Sequence, residues 1–218
     1  VYLEGDANAA GWGEYWKGAG RGANSLIMFT LGTGVGGCVI LDGRLVRGPD
    51  DSGGHLGHMP VLPGGPQCGC GAYGCLETIA SATAVARRAR DAAERGTGDL
   101  RSALPPERIA ALTARDVSDA AGRGCPVSRE ILAEAGRALG RVAAGLANAL
   151  NPDLCVVGGG MVAAGDWILE PLRVELLRCA LPAPGKRLRV VPAALGDDAG
   201  VVGAAGLARA RHKEEEKR

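Results

Sequence analysis

The sequence predicts an α/β protein with a mixed sheet flanked by helices. Short apolar runs first pair as a hairpin around a two-residue Asp42-Gly43 turn, which is typical of antiparallel strands. Later apolar runs alternate with longer amphipathic segments, as they do where helices connect parallel strands. The predicted strands are 25–31, 38–41, 44–46, 153–157 and 188–191. A chain of 218 residues is long enough to bury a substantial core around such a sheet.

Helices are predicted where apolar residues recur with helical spacing or where a capping residue opens a segment. The longest begins at Pro126 and ends at the Asn151-Pro152 pair, and Thr113 caps a shorter one. The other predicted helices are 7–16, 76 to about 95, the segment after 158–160 to about 177, and 198 to about 211. The remaining predictions are a strand end at 1–3, a loop at 97–106 and a solvated charged tail from 212 onwards.

The charge balance gives no bulk field that would favour nucleic acid or an anionic membrane, since 25 basic side chains meet 24 acidic ones. No apolar run approaches the roughly eighteen residues of a transmembrane helix. Four cysteines lie in apolar surroundings, as buried reduced thiols do, which favours a reducing cytoplasm. They are Cys38, Cys125, Cys155 and Cys179. The sequence opens at Val1, within a predicted strand, which is typical of a fragment or a processed chain. Such a start is compatible with a targeting segment upstream.

The most informative stretch is 57–77, which contains His58, Cys68, Cys70 and Cys75 separated largely by glycines. Thiolates and a neutral imidazole form the ligand set of a closed tetrahedral Zn²⁺ site. Four protein ligands leave no position for a catalytic water, so the predicted zinc is structural. The alternative is three reduced surface thiols and a nearby core histidine.

Two glycine-rich turns are candidate phosphate contacts. Gly32-Thr33-Gly34 opens a formal G-x-G-x-x-G match, but a hairpin follows it instead of the helix that a dinucleotide fingerprint requires. Its backbone N–H groups can still face an anion, and the alternative is a tight turn without a ligand. Gly158-Gly159-Gly160 lies between a strand and a helix, where α/β sheets bind nucleotides. The alternative there is a crowded connection.

Two carboxylates are candidates for proton transfer with a polar ligand or for binding it. Asp6 precedes a helix, so it is either an N-cap or a general base that accepts a proton from a substrate hydroxyl. Glu77 follows the last cysteine and either caps its helix or holds a ligand. A zinc-bound His58 would keep its second ring N–H free to donate.

Together these residues resemble the ROK family of sugar kinases and sugar-responsive repressors. The family signature G-H-x(9–11)-C-x-C-G-x-x-G-C-x-E is met at every fixed position from Gly57 to Glu77. Further segments that resemble family motifs are 4–10, 31–37, 156–160 and 196–205. The resemblance therefore covers the chain from its start to about residue 210.

The resemblance implies an actin-like ATPase (ribonuclease H-like) fold, in which two lobes close over a sugar and Mg-ATP. It implies that 1–196, with the zinc loop 57–77, is the large C-terminal lobe. Residues 197–218 are then a terminal helix and charged tail that pack towards an N-terminal lobe. That lobe and its D-x-G-G-T motif are missing from this chain, so we expect the isolated chain to be inactive. A homodimer is also implied.

The resemblance further implies an ATP-dependent, glucokinase-like hexose kinase. Asp6 is then the base, while His58 and Glu77 contact sugar hydroxyls and His55 occupies a third substrate position. The implied nucleotide contacts are Gly32, Thr33 and Gly34 for the phosphates, and Gly158, Gly159 and Gly160 for adenosine. The implied zinc ligands are His58, Cys68, Cys70 and Cys75.

Two departures from the family pattern bear on the substrate. Gly5 replaces the asparagine that precedes the base, and His55 replaces a glutamate, which exchanges an acceptor for a possible donor. They make a different sugar or a cyclitol the alternative to glucose as the substrate. Two further alternatives are a sugar-responsive repressor with an upstream helix-turn-helix, and a zinc-stabilised sugar-binding module without catalysis. The retained Asp6 argues against the last.

Overall fold

The computed structural model of the protein describes residues 3–96 and 109–215. The strands are β1 (Leu26–Leu31), β2 (Val35–Leu41), β3 (Arg44–Leu45), β4 (Leu154–Gly158) and β5 (Arg189–Pro192). The helices are α1 (Asp6–Lys17), α2 (Glu77–Ala80), α3 (Ala82–Glu94), α4 (Ala114–Gly122), α5 (Pro126–Leu150), α6 (Asp166–Cys179), α7 (Pro182–Arg187) and α8 (Ala199–Glu215). Within these ranges no helix is long and apolar enough to cross a bilayer.

The five strands form one mixed sheet in the order β3-β2-β1-β4-β5. β1 pairs antiparallel with β2 and parallel with β4, so the hairpin and the strand–helix alternation meet at the central strand. Asp42 and Gly43 join β2 to β3 with positive φ angles of 48° and 71°, as a tight two-residue hairpin requires. The prediction of an α/β fold with a mixed sheet is confirmed.

Successive residues of β1 face opposite layers of the protein, because side chains alternate along a strand. Ile27, Phe29 and Leu31 join the larger core, which also includes apolar side chains of α3 to α6. Leu26 and Met28 join a smaller core covered by α1. Helices therefore cover both faces of the central strand.

α8 packs against α1 at close range, because glycines line their contact. A Cβ on Gly203 would lie 1.6 Å from the carbonyl oxygen of Ala9, and one on Gly13 would lie 2.2 Å from that of Ala199. The two backbones can approach this closely only without side chains at these positions. α1 is thus held between the sheet and α8, with its N-terminus directed to the candidate site.

Several predicted boundaries are wrong. The helix expected from 76 to 95 is broken at Ser81, which is extended (φ −74°, ψ 158°) and whose hydroxyl accepts a bond from the Ala84 N–H. Gly158 is the last residue of β4, and a 3₁₀ turn at Gly160–Ala164 separates it from α6, so no α-helix starts at the glycines. The last helix extends past residue 211 to Glu215.

Other predictions fall at the margins of the described ranges. Leu3 belongs to no strand, while residues 1–2 and the predicted loop at 97–106 lie outside the described residues.

All seven cysteines are unpaired. Cys38, Cys125 and Cys155 are buried as expected, and burial raises the pKa of Cys155 to about 12. Cys179, at the end of α6, is exposed, so its predicted burial is wrong.

Candidate functional site

Asp6 is the first residue of α1, and Gly5 is the N-cap. The Asp6 carboxylate is exposed and accepts a bond of 2.7 Å from the Ala7 N–H through Oδ1. The N-cap interpretation of Asp6 is therefore wrong. A carboxylate in the first turn is stabilised as an anion by the helix dipole, and its exposure leaves it open to a substrate hydroxyl.

The first turn of α1 lies against β2 and against the loop 53–58, which leads to the metal cluster. A Cβ on Gly36 would lie 2.9 Å from that of Ala7. A Cβ on Gly54 would lie 3.2 Å from Asn8 Oδ1. The structure therefore brings the loop that carries both candidate histidines to the start of α1.

His58, Cys68, Cys70 and Cys75 lie together, with their ligand atoms within 4.8 Å of one another. His58 Nδ1 is 3.5 Å from Cys68 Sγ, and Cys70 Sγ is 3.7 Å from Cys75 Sγ. With Zn–S bonds of about 2.3 Å and a Zn–N bond of about 2.0 Å, tetrahedral geometry requires separations of roughly 3.5 Å for N···S and 3.8 Å for S···S. The donor set and its spacing both fit Zn²⁺.

Glycines make the metal loop compact. Gly71 and Gly74 have positive φ angles of 91° and 68°, and a Cβ on Gly74 would lie 1.8 Å from the carbonyl oxygen of Leu62. Burial raises the pKa of Cys75 to about 12, so this sulfur is a neutral thiol at pH 7 unless a cation lies beside it. Metal binding would therefore release a proton.

Glu77 is the first residue of α2 and connects the metal cluster to the first glycine turn. Its Oε2 accepts a 3.0 Å bond from the Val35 N–H, and its Oε1 lies 3.7 Å from Cys68 Sγ. A Cβ on Gly34 would lie 2.3 Å from Oε2, so this approach depends on glycine. The N-cap of α2 is Leu76, so Glu77 does not cap its helix.

His55 precedes the 3₁₀ turn Leu56–His58 and is exposed. Its ring centroid is 6.1 Å from that of His58, with the ring planes 39° apart. The residue that departs from the family pattern is thus a neighbour of a candidate metal ligand.

A cavity of about 530 Å³ is bounded by both glycine turns, through Gly32, Thr33 and Gly160. Helix α3 fixes the first turn, because the Ala82 N–H donates to the Gly32 carbonyl and the Thr83 hydroxyl donates to that of Thr33, both at 2.8 Å. The two turns predicted to contact a nucleotide therefore share one cavity.

The other two glycines of the second turn do not line this cavity. A Cβ on Gly158 would lie 2.7 Å from Met28 Cε, and one on Gly159, whose φ is 84°, would lie 2.5 Å from the carbonyl oxygen of Leu31. Both glycines allow β4 and the following turn to approach β1 closely, which leaves Gly160 at the cavity.

Helix α4 and its N-cap Thr113 also line the cavity, with Ser118 and Asp119 among the helical residues, and no sequence motif marks this helix as part of a site. The predicted Thr113 cap is confirmed as a capping box with Asp116. That box predicts where the helix starts, but no local pattern indicates which face meets the glycine turns.

Comparison with known proteins gives consistent matches. The ROK family matches residues 1–211. A glucokinase from Halalkalibacterium halodurans is 41% identical over 220 residues, which cover 100% of this chain and 66% of the relative. The chain thus spans just under two thirds of that relative's length.

Solved structures with the same fold include an enzyme and a regulator. A ROK family glucokinase from Streptomyces griseus, solved in complex with glucose and AMPPNP, matches with a TM-score of 0.82 and 38% identity, over 96% of this chain and 68% of that one. A ROK family transcriptional regulator, a homologue of the E. coli MLC protein, matches with a TM-score of 0.83 and 27% identity, over 94% and 50%.

Proposed function

This chain belongs to the ROK family and has its actin-like fold, and we propose that the whole protein is an ATP-dependent, glucokinase-like hexose kinase. One observation carries the proposal. The turn after β1 borders the 530 Å³ cavity through Gly32 and Thr33, and its next residues contact Glu77 beside the metal cluster. Phosphoryl transfer needs a phosphate site and an acceptor site next to each other, and this turn borders both candidate sites.

Asp6 is the proposed general base. As the hydroxyl oxygen of the hexose bonds to the γ-phosphorus of ATP, the Asp6 carboxylate accepts the hydroxyl proton, and the bond to the bridging oxygen breaks to release ADP. The Gly32-Thr33-Gly34 turn and Gly160 hold the nucleotide in the cavity, assisted by Gly158 and Gly159 behind it. Mg²⁺ would neutralise phosphate charge, as it does in phosphoryl transfer generally.

The metal cluster is proposed to hold one structural zinc ion. With Nδ1 bound to the metal, the other ring N–H of His58 is free to donate to a sugar hydroxyl. Glu77, held by the Val35 N–H, is the proposed acceptor for a second hydroxyl, and His55 is a third contact. Because His55 and Gly5 differ from the family pattern, a non-glucose sugar or a cyclitol is the alternative substrate.

The sugar-responsive repressor is the second candidate function, favoured by the match to the transcriptional regulator. A helix-turn-helix in the whole protein would support it. The proposed domain division is a large C-terminal lobe at 1–196, followed by a terminal helix and charged tail at 197–218 that packs towards an N-terminal lobe. The 75% exposure of Val201 on α8 supports a further contact there. A cytoplasmic location and a homodimer stay predictions.

The test is ADP release by the whole protein with a panel of aldohexoses, N-acetylhexosamines and cyclitols. We expect release only when a suitable acceptor is present, and Asp6→Asn should lower kcat by about 10²- to 10⁴-fold with sugar binding retained. Asp166→Asn is the matched control, because Asp166 is also the exposed first residue of a helix. Sugar-independent ADP release, or equal losses in both variants, would refute the proposal.

A further inference from the structure

Glu4, two residues before the proposed base, is enclosed by polar partners. Its Oε2 accepts bonds of 2.8 Å from Nε and 2.7 Å from Nη2 of Arg47. Its Oε1 accepts bonds of 3.0 Å from Asn8 Nδ2 and 3.2 Å from the Gly5 N–H. The Glu4 and Arg47 side chains are only 16% and 23% exposed, so solvent screens this pair less than a surface ion pair.

Partial burial alone would raise the pKa of Glu4. The hydrogen bonds from Arg47 and Asn8 and the charge of Arg47 outweigh that effect, so the pKa lies below its usual value. The carboxylate is therefore ionised at neutral pH and can hold both partners at once.

Both partners of Glu4 contact the loop that carries the histidines. The Arg47 carbonyl accepts a 2.6 Å bond from the Gly53 N–H. Asn8 lies against Gly54, whose φ of 93° suits glycine. Among the described residues, Asn8 Oδ1 is a buried atom without a hydrogen-bond partner, so the bond from its Nδ2 to Glu4 is what orients this amide.

Helix α8 adds a third connection, because Arg211 Nη2 lies 3.8 Å from Glu4 Oε2. One carboxylate thus joins the start of α1, the segment before His55 and the last helix. We propose that Glu4 is a positioning residue, which fixes the sugar-binding loop 53–58 relative to the Asp6 carboxylate. The inference rests on the proposed kinase function.

The perturbation is Glu4→Gln in the whole protein. The amide oxygen can keep the bonds from Asn8 and Gly5, while the charge that holds Arg47 is lost. Because small misplacements of a reacting group can cost about 10²-fold, we expect kcat/KM for the sugar to fall by at least about 10-fold. KM for ATP should stay within about twofold, because the cavity is lined by other elements. Glu130→Gln is the control, since Glu130 also pairs with an arginine, Arg137, away from the site.

Double substitution separates positioning from general destabilisation. If Glu4 acts through Arg47, Glu4→Gln combined with Arg47→Gln should lower kcat/KM no further than the more damaging single change. Additive losses, or KM values for sugar and ATP that rise together with a falling melting temperature, would overturn the proposal. A change in sugar kcat/KM of less than twofold would also overturn it.

Hydrogen exchange gives a readout that does not depend on turnover. Amides of residues 48–58 should exchange faster in Glu4→Gln than in the wild type or in Glu130→Gln, because the Gly53 N–H bond loses its support. If this exchange increases but the wild type shows no sugar-dependent ADP release, the proposed function fails and the loop contact stands. Unchanged exchange in an active protein would refute the role of Glu4.

Discussion

Restoring the asparagine of the family pattern, through Gly5→Asn, should increase activity on glucose. The backbone at Gly5 has φ −62° and ψ 141°, which any residue adopts without strain. A Cβ there would meet only Asn8, with Nδ2 at 3.7 Å and Cβ at 4.0 Å, which are ordinary contacts. The backbone at the N-cap of α1 and the space around a Cβ there therefore accept a side chain beside the proposed base.

The size of the gain follows from one additional hydrogen bond to the sugar. Such a bond contributes about 0.5–1.5 kcal/mol, which corresponds to a rise in kcat/KM for glucose of about 2- to 13-fold. An asparagine N-cap also stabilises the helix by a few tenths of a kcal/mol relative to glycine, and this is a separate effect.

The assay is steady-state ADP release by the whole protein, with glucose and with an N-acetylhexosamine. Gly5→Ser is the matched control, because serine caps the helix equally well but its side chain is shorter. We expect the gain for glucose with asparagine alone. Equal changes in the two variants, or a lower kcat/KM with asparagine, would refute the assigned position of Gly5 in the sugar site.

Three further predictions concern the metal and the stability of the fold. Protein prepared without chelator should contain about one zinc ion per chain, and chelation should lower the melting temperature; elemental analysis that finds no zinc would contradict this. Hydrogen bonding and charge from Arg178, and then Arg141, lower the pKa of Glu175 to about 2, so its contribution to stability is complete above about pH 4.5 and is lost as the pH falls towards 2. Glu175 is 5% exposed, but its partners Arg178 and Arg141 are 66% and 44% exposed, so solvent screening reduces the contribution of these ion pairs. We therefore expect Glu175→Gln to lower the free energy of unfolding at pH 7, measured by urea denaturation, by about 1–2 kcal/mol. An unchanged free energy of unfolding would contradict this prediction. Gly203→Ala should lower the free energy of unfolding by about 1–3 kcal/mol because of the contact with Ala9, whereas Gly200→Ala, with no atom within 4 Å, should not; similar values for both would contradict the packing.

The sheet could be predicted because its signals are local. β1 is an apolar run that is buried on both faces, and the Asp42-Gly43 turn specifies its own hairpin. The break at Ser81 has no such local signal, because the apolar spacing on its two sides continues as if one helix passed through it. Only its hydroxyl bond to the next helix marks the break.

The candidate site likewise combines features that have a local sequence signal with features that depend on long-range packing. The four candidate metal ligands lie within eighteen positions, so their spacing alone predicted a cluster, and the structure brings these residues together. The bond from the Val35 N–H to Glu77 spans 42 positions, and the meeting of α4 with the first glycine turn spans more. Such contacts depend on how whole elements pack, and no short pattern predicts them.

The glycine contact between α1 and α8 also imposes an order on biosynthesis. α8 leaves the ribosome after every other described element, and its Gly206 is the position against which Trp12 and Trp16 of α1 pack. A nascent chain that has been translated only to residue 198 lacks the α8 contact of these two indoles, although it already contains every strand of the sheet and the metal loop. The packing of the helix that bears Asp6 is therefore completed only after α8 has been synthesised.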